Sequence, residues 1–167
     1  MYCKCGNLRL NIGCGRLKIT DYIGIDIVQI VDGRGNKCVD IVRDINLKGL
    51  PFCDDSCDHI IANAFLEHIS DLVFVMNECW RCLKVGGILE GEVPLAGTNG
   101  AWRDPTHKIF FVEETFDYFC GKNLADEKQP AHPKYANYGF MPWEKILLEI
   151  PEDRNGCIHF KLTPKKL

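Results

Sequence analysis

Leu8 to Asp26 reads LRLNIGCGRLKITDYIGID and constrains this chain more than any other stretch. Leu8, Leu10 and Ile12 alternate as a short strand, Gly13 and Gly15 make a turn, and Tyr22 to Ile25 reads as a second strand ending in Asp26. In a parallel α/β sheet, ligands sit in the crevice outside the carboxyl ends of the strands. Glycines there let backbone N–H groups approach a ligand closely, since neither carries a Cβ. An acid at the tip of the next strand can accept hydrogen bonds from a ribose diol. Gly13, Gly15 and Asp26 therefore read as one nucleoside-binding constellation, against the plainer alternative of a tight turn and a surface acid. A dinucleotide fingerprint asks for a third glycine and an acid about twenty residues on. Here the third glycine is missing and Asp26 follows Gly13 by only thirteen positions. There is also no GxxxxGK[ST] run to grip a phosphate.

With those residues in view, the chain resembles the class I S-adenosylmethionine-dependent methyltransferases, especially the small Methyltransf_11-like group. The first motif of that family, an acid followed by GxGxG, is matched by Asn11-Ile12-Gly13-Cys14-Gly15-Arg16-Leu17, with Asn in place of the acid and Leu at the last glycine position. The short link to Asp26 leaves little room for the family's usual first helix. The resemblance implies an α/β fold: a Rossmann-like methyltransferase sheet, mostly parallel, with an antiparallel C-terminal strand pair. It also implies S-adenosyl-L-methionine as cofactor, met by Asn11, Gly13, Cys14, Gly15, Asp26 and Ile27.

Later segments extend the match. Lys37 to Val42 reads as a third strand running into Arg43-Asp44-Ile45-Asn46, which resembles the motif whose acid and following N–H meet adenine; Asp44 and Ile45 are the matching residues, and a solvated loop acid is the alternative. LPF, an acidic turn and then His59-Ile60-Ile61-Ala62-Asn63 resemble the family's approach to strand four, with Asn63 and Ala64 at its ligand-facing end. Asn63 would then bind the amino-acid part of the cofactor or satisfy a loop carbonyl. Phe65-Leu66-Glu67-His68-Ile69 follows, and His68 is placed to approach substrate or cofactor or to fix the loop. Asp71 or Ser70 can cap a helix whose apolar face is Leu72, Val75, Met76, Cys79 and Leu83, ending near Lys84-Val85-Gly86-Gly87. RCLKVGG resembles the family's RxLKPGG, and Ile88 to Val93 supplies strand five. Pro94 to Asp104 reads as a glycine-rich loop without a stable helix. Asp104-Pro105-Thr106-His107 resembles a DPxH element of some members, with His107 as a candidate base and Asp104 as its orienter, or with Asp104 capping a turn while His107 packs beside Trp102 or Phe110. Phe111 to Phe119 has helical spacing suited to a core. Lys122 to Tyr138 reads as a long loop, and Phe140 to Glu149 and Cys157 to Leu162 as the closing strands, the first limited by Pro142.

A length of 167 residues suits one domain, residues 1–167, with a sizeable core. The formal net charge of -3 gives no overall attraction to nucleic acid. No run of apolar residues reaches the length of a membrane span, and the N-terminus lacks a secretory pattern, so the expected setting is cytoplasmic. Ten cysteines are scattered along the chain; Cys79 and Cys82 lie one helical turn apart and suit packing better than zinc, so no metal site is expected. A small molecule is the leading acceptor class, a protein partner stays open, and nucleic acid has no strong signal. Two further readings stand beside methyl transfer: a non-catalytic methyltransferase-like domain that binds a partner, and a nicotinamide-dependent oxidoreductase, disfavoured by its glycine spacing.

Overall fold

A computed structural model describes residues 7–121, 138–151 and 156–166. Its strands are β1 (Leu8–Ile12), β2 (Ile23–Asp26), β3 (Ile41–Val42), β4 (Cys57–Asn63), β5 (Leu83–Pro94), β6 (Trp143–Glu149) and β7 (Cys157–Pro164). They form one seven-stranded sheet in the order β3-β2-β1-β4-β5-β7-β6. The first five pair in parallel, while β7 runs antiparallel to both β5 and β6, as expected.

The two faces of the sheet differ, one apolar and the other mostly polar. Ile60, Ala62, Leu89, Val93, Ile158, Phe160 and Leu162 are buried. They alternate with His59, Ile61, Glu90, Glu92, His159 and Lys161, as the period of two in a strand demands. The helix α2 (Leu72–Cys82) covers the apolar face, burying Val75, Met76, Cys79 and Cys82; Asp71 caps its start by accepting from Phe74 N at 2.9 Å. Phe116 stacks with both Phe111 and Phe160, at centroid distances of 5.6 and 4.7 Å. Polar pairs occupy the other face: Glu90 meets His59 at 3.2 Å and Lys161 at 2.7 Å, Glu92 meets His159 at 3.2 Å, and Tyr22 OH meets His59 Nδ1 at 2.7 Å. Parallel sheets are ordinarily covered on both faces. Here the β1–β2 and β2–β3 links contain no helix, and polar residues stand where a second layer would otherwise pack.

Several boundaries differ from the sequence expectations. The third strand shrinks from Lys37–Val42 to two residues, because Cys38 N turns back to Ile30 O at 2.9 Å and the Asp40 carboxylate takes the Gly24 N–H at 2.9 Å. A short helix, α1 (Ile45–Lys48), follows it. The long helix stops at Cys82 rather than near Gly87, since Leu83 is already extended and pairs with Cys57; Gly86, at φ 75°, turns within β5 instead of capping a helix. The glycine-rich loop contains a four-residue helix, α3 (Asn99–Trp102), capped by Thr98. Phe111 to Phe119 forms a 3-10 turn over Glu113–Asp117, yet Phe111, Phe116 and Phe119 are core residues as expected. β6 begins directly after Pro142, whose carbonyl accepts from Trp80 Nε1 at 2.8 Å. Cys79 and Cys82 are free, buried thiols, and Cys53 is disulfide-bonded. Of the loop expected from Lys122 to Tyr138, residues 122–137 lie outside the described residues. No helix among the described residues is long and apolar enough to cross a membrane.

A test of the central ladder is Gly91→Ala, because a Cβ there would lie 2.1 Å from the Ala62 carbonyl oxygen. Overpacking of this kind costs about 1–3 kcal/mol, which for a chain of this size lowers the thermal midpoint by roughly 2–12 °C. An unchanged midpoint in thermal unfolding would contradict the close approach of β4 and β5.

Candidate functional site

Loops leaving the adjacent strands β3, β2, β1 and β4 meet around a cavity of about 350 Å³. The turn after β1 contributes Gly13; the tip of β2 contributes Asp26 and Ile27; the start of α1 contributes Asp44 and Ile45; the turn after β4 contributes Ala64 and His68. Seven of the residues singled out in the sequence therefore share one wall or rim.

Gly13 meets two constraints at once. Its φ is 63°, and a Cβ would lie 2.4 Å from Phe65 Cδ2, so a side chain is excluded by backbone conformation and by the neighbouring ring. Asp26 ties the turn to β2: one carboxylate oxygen accepts from Gly15 N at 2.8 Å, the other from Ile27 N at 2.7 Å. Gly15, Asn11 and Cys14 do not line the cavity; they brace the turn that does. Asn11 is 3% exposed and donates from Nδ2 to Leu17 O at 3.0 Å. Cys14 N donates to Ile25 O at 3.1 Å, and burial, helped by the charges of Asp26 and Asp40, pushes its thiol up to about 11. Asp44 caps α1 by accepting from Leu47 N at 3.3 Å, so capping and cavity lining coexist in one side chain.

Asn63 is not brought to this cavity. Strand alternation turns it to the polar face of the sheet, into a groove with Glu92 and His159. Its neighbour Ala64 lies at the cavity with φ 45°, a left-handed conformation uncommon outside glycine, and donates to Glu92 O at 2.9 Å. The sequence reading missed Arg43, Asn46, Phe65, Ile69 and Lys108 as lining residues. Arg43 and Asn46 flank the Asp44-Ile45 pair and were legible as its neighbours. Arg43 Nε donates to Gly49 O at 2.6 Å, and Asn46 Oδ1 accepts from Ser70 N at 2.9 Å, joining α1 to the start of α2.

Two motifs far apart in sequence interlock beside the cavity. Lys108 N and Ile109 N both donate to Glu67 O, at 2.8 and 3.1 Å, and Lys108 Nζ donates to Ser70 Oγ at 2.8 Å. The His68 and His107 rings meet edge to face, 4.8 Å between centroids. Asp104 does not orient His107 closely, standing 4.0 Å from its Nε2; instead it accepts from Thr106 N and Oγ at 2.8 and 2.7 Å, bonds that hold its carboxyl below the usual value. Trp102 and Phe110 pack on each other at 4.2 Å, so His107 finds its partner in His68. Next to both histidines, Glu67 is 1% exposed, and neither of its oxygens has a hydrogen-bond partner among the described residues; burial pushes its pKa up.

A mostly parallel sheet in this strand order, with a final antiparallel pair and a glycine turn tied to an acid at the tip of β2, defines a Rossmann-like methyltransferase domain. The chain belongs to the Methyltransf_11 family, whose model, described as "Methyltransferase domain", matches residues 5–90, just over half of the 167. A relative from Mycolicibacterium smegmatis, described as "Probable S-adenosylmethionine-dependent methyltransferase", is 30% identical over 104 residues, covering 51% of this chain. The match spans 40% of that relative's length. Among solved structures, the YcgJ protein of Bacillus subtilis shares the fold with a TM-score of 0.61 at 16% identity, covering 98% of this chain and 94% of that one. A SAM-dependent methyltransferase of Archaeoglobus fulgidus does so at 0.59 and 20% identity, covering 95% and 86%. A chain from the complex of the Haloferax volcanii Trm112 methyltransferase activator with a putative methyltransferase does so at 0.59 and 13%, covering 99% and 86%.

The two constraints on Gly13 are separable. Gly13→Ala places a Cβ in the left-handed region, at about 1–2 kcal/mol, and against the Phe65 ring. The added Phe65→Ala change should recover the steric part and leave the backbone part, read as non-additive free energies in denaturant unfolding. Simple additivity of the two changes would contradict the packing of Phe65 on Gly13.

Proposed function

We propose that the chain transfers a methyl group from S-adenosyl-L-methionine to a small-molecule acceptor. The observation that carries this reading is the convergence of Gly13, Asp26 and Asp44 on one cavity, within a methyltransferase-family sheet. The residues present suit the cofactor. The volume of about 350 Å³ falls in the range of small-molecule sites. Gly13 leaves space a Cβ would fill, and Ile27 and Ile45 give apolar walls.

In this reading, Asp26 holds the ribose, since a carboxylate offers about four lone-pair sites and the bonds from Gly15, Ile27 and, at 3.5 Å, Val28 leave capacity on Oδ2 for a hydroxyl. Asp44 and the Ile45 N–H take the adenine edge, the latter being a first-turn donor with no partner inside α1. When bound, the cofactor supplies a methyl already activated on a sulfonium, so the chain's task is alignment and exclusion of water. His68 and His107 mark the acceptor end, where an imidazole can receive a proton from an acceptor hydroxyl or amine. Asp104 fixes the loop that holds them, through Thr106. A small acceptor suits the electrostatics: of the three lysines near the C-terminus, Lys161 is paired with Glu90 and Lys166 with Asp55, which removes much of a basic tail.

A second reading, a methyltransferase-like domain serving a protein partner, draws on the fold shared with the Haloferax volcanii complex. Calorimetry with S-adenosylmethionine and S-adenosylhomocysteine separates the two: methyl transfer requires saturable binding, while no heat and no thermal shift at high ligand favours the partner domain. Asp26→Asn keeps the shape and removes the charge. Hydrogen bonds to a charged group are worth about 1.5–3 kcal/mol, so affinity should fall roughly 10- to 100-fold; unchanged affinity would exclude Asp26 from the cofactor site.

A further inference from the structure

We propose that Glu67, His68 and His107 bind one divalent transition-metal ion at the acceptor end of the cavity. Each of the three offers one ligand atom, and these atoms lie within 4.8 Å of one another. Ligand atoms held at about 2.0–2.2 Å from a metal stand roughly 3–4 Å apart, so closing on an ion asks for movements on the order of 1 Å. Two imidazole nitrogens and a carboxylate are the donor set of zinc and of first-row ions such as iron, cobalt and manganese.

The hydrogen bonds around the two rings already select the form a metal requires. Thr106 has one hydroxyl proton, and it goes to Asp104 at 2.7 Å; its oxygen is then left to accept from His68 Nδ1–H at 3.0 Å. The Ala101 carbonyl can only accept, so His107 Nδ1–H donates to it at 2.9 Å. In the neutral ring each Nε2 therefore carries a lone pair, and each other nitrogen is held by an oxygen, the arrangement that orients metal-binding histidines. Glu67 adds the decisive feature. Its side chain is almost wholly buried, both oxygens lack a hydrogen-bond partner among the described residues, and a buried carboxylate without a partner is costly. A cation between it and the two rings supplies the missing partner.

The fold brings these ligands together from separate places. Glu67 and His68 sit in the turn after β4, and His107 arrives on a loop latched to that turn by two N–H bonds to the Glu67 carbonyl. Three protein ligands leave coordination positions open. His68 also lines the cavity, so an open position on that side would take an oxygen of the acceptor, a carboxylate or a hydroxyl. This deepens the methyl-transfer reading and rests on it for the identity of that outer ligand: the ion would lower the acceptor's pKa so that its proton passes to solvent water, the two imidazoles then serving as ligands instead of bases.

The test titrates the full chain, stripped with chelator, with Co²⁺ and then Zn²⁺. One Co²⁺ per chain is expected, with ligand-field absorption that Zn²⁺ abolishes. Glu67→Gln and His68→Gln should each weaken Co²⁺ at least about tenfold, since even residues that only support metal ligands cost that much. Thermal unfolding confirms that each variant is folded; should Glu67→Gln fail to fold, the partly exposed His68 gives the same comparison. Absence of Co²⁺ binding by the unmodified chain, or equal affinity in a folded variant, would overturn the site. S-adenosylhomocysteine calorimetry on the same samples keeps the two readings apart. Cofactor binding without Co²⁺ removes the metal site and leaves methyl transfer, whereas Co²⁺ binding without cofactor does the reverse.

Discussion

The carboxylate of Asp26 joins two strand ends that the chain connects by only a short link. One oxygen takes the N–H of Gly15, in the turn after β1, and the other takes the N–H of Ile27 beyond β2. Bonds from neutral N–H groups to an ionised acceptor are roughly twice as strong as neutral ones, and here they hold a turn whose glycines both have positive φ. Asn11 closes the same turn from below through the Leu17 carbonyl, and Cys14 N joins it to β2. The glycine turn is thus held by hydrogen bonds across β1 and β2 where the family ordinarily places a helix.

That economy extends across the sheet. With no helix in the two links that precede and follow β2, one face has no apolar layer to bury against among the described residues, and apart from Ile61 and Leu147 its groove is lined mostly by polar or charged side chains. Glu90 serves both His59 and Lys161, and Glu92 serves His159. Pairs that water still reaches in part are worth little individually. Their role is compatibility with water on one face, while α2 and the Phe111, Phe116 and Phe160 stack supply the core on the other. The same alternation explains why Asn63 and Ala64, adjacent in sequence, belong to different surfaces.

Much of this was legible from sequence because it depends on local pattern. Alternating apolar residues gave β1, apolar content gave β2 and β4, and resemblance to a closing strand pair gave β7; the cap at Asp71 and the spacing of Val75, Met76 and Cys79 gave α2; Gly13 and Asp26, read as one constellation, do line one cavity. What escaped depends on distant partners. The third strand is cut short by bonds from Cys38 to Ile30 and from Gly24 to Asp40, and Leu83 leaves the helix early because β4 offers it a pairing partner. Asn63 misled because motif position does not report which face a strand residue takes. Glu67 went unremarked beside His68, since nothing local shows that a loop bearing His107 returns to bury it.

The proposed methyl transfer requires that the cavity at the ends of β1 to β4, rather than the polar groove on the sheet's other face, receive an adenosyl ligand. Amide resonances of the labelled chain, followed as S-adenosylhomocysteine is added, test this residue by residue. Shifts concentrated at Gly13, Ile27, Ile45 and Ala64, with His159 and Lys161 unmoved, are the predicted result. Shifts confined to the groove around Glu90 and His159, or none at saturating ligand, would contradict it.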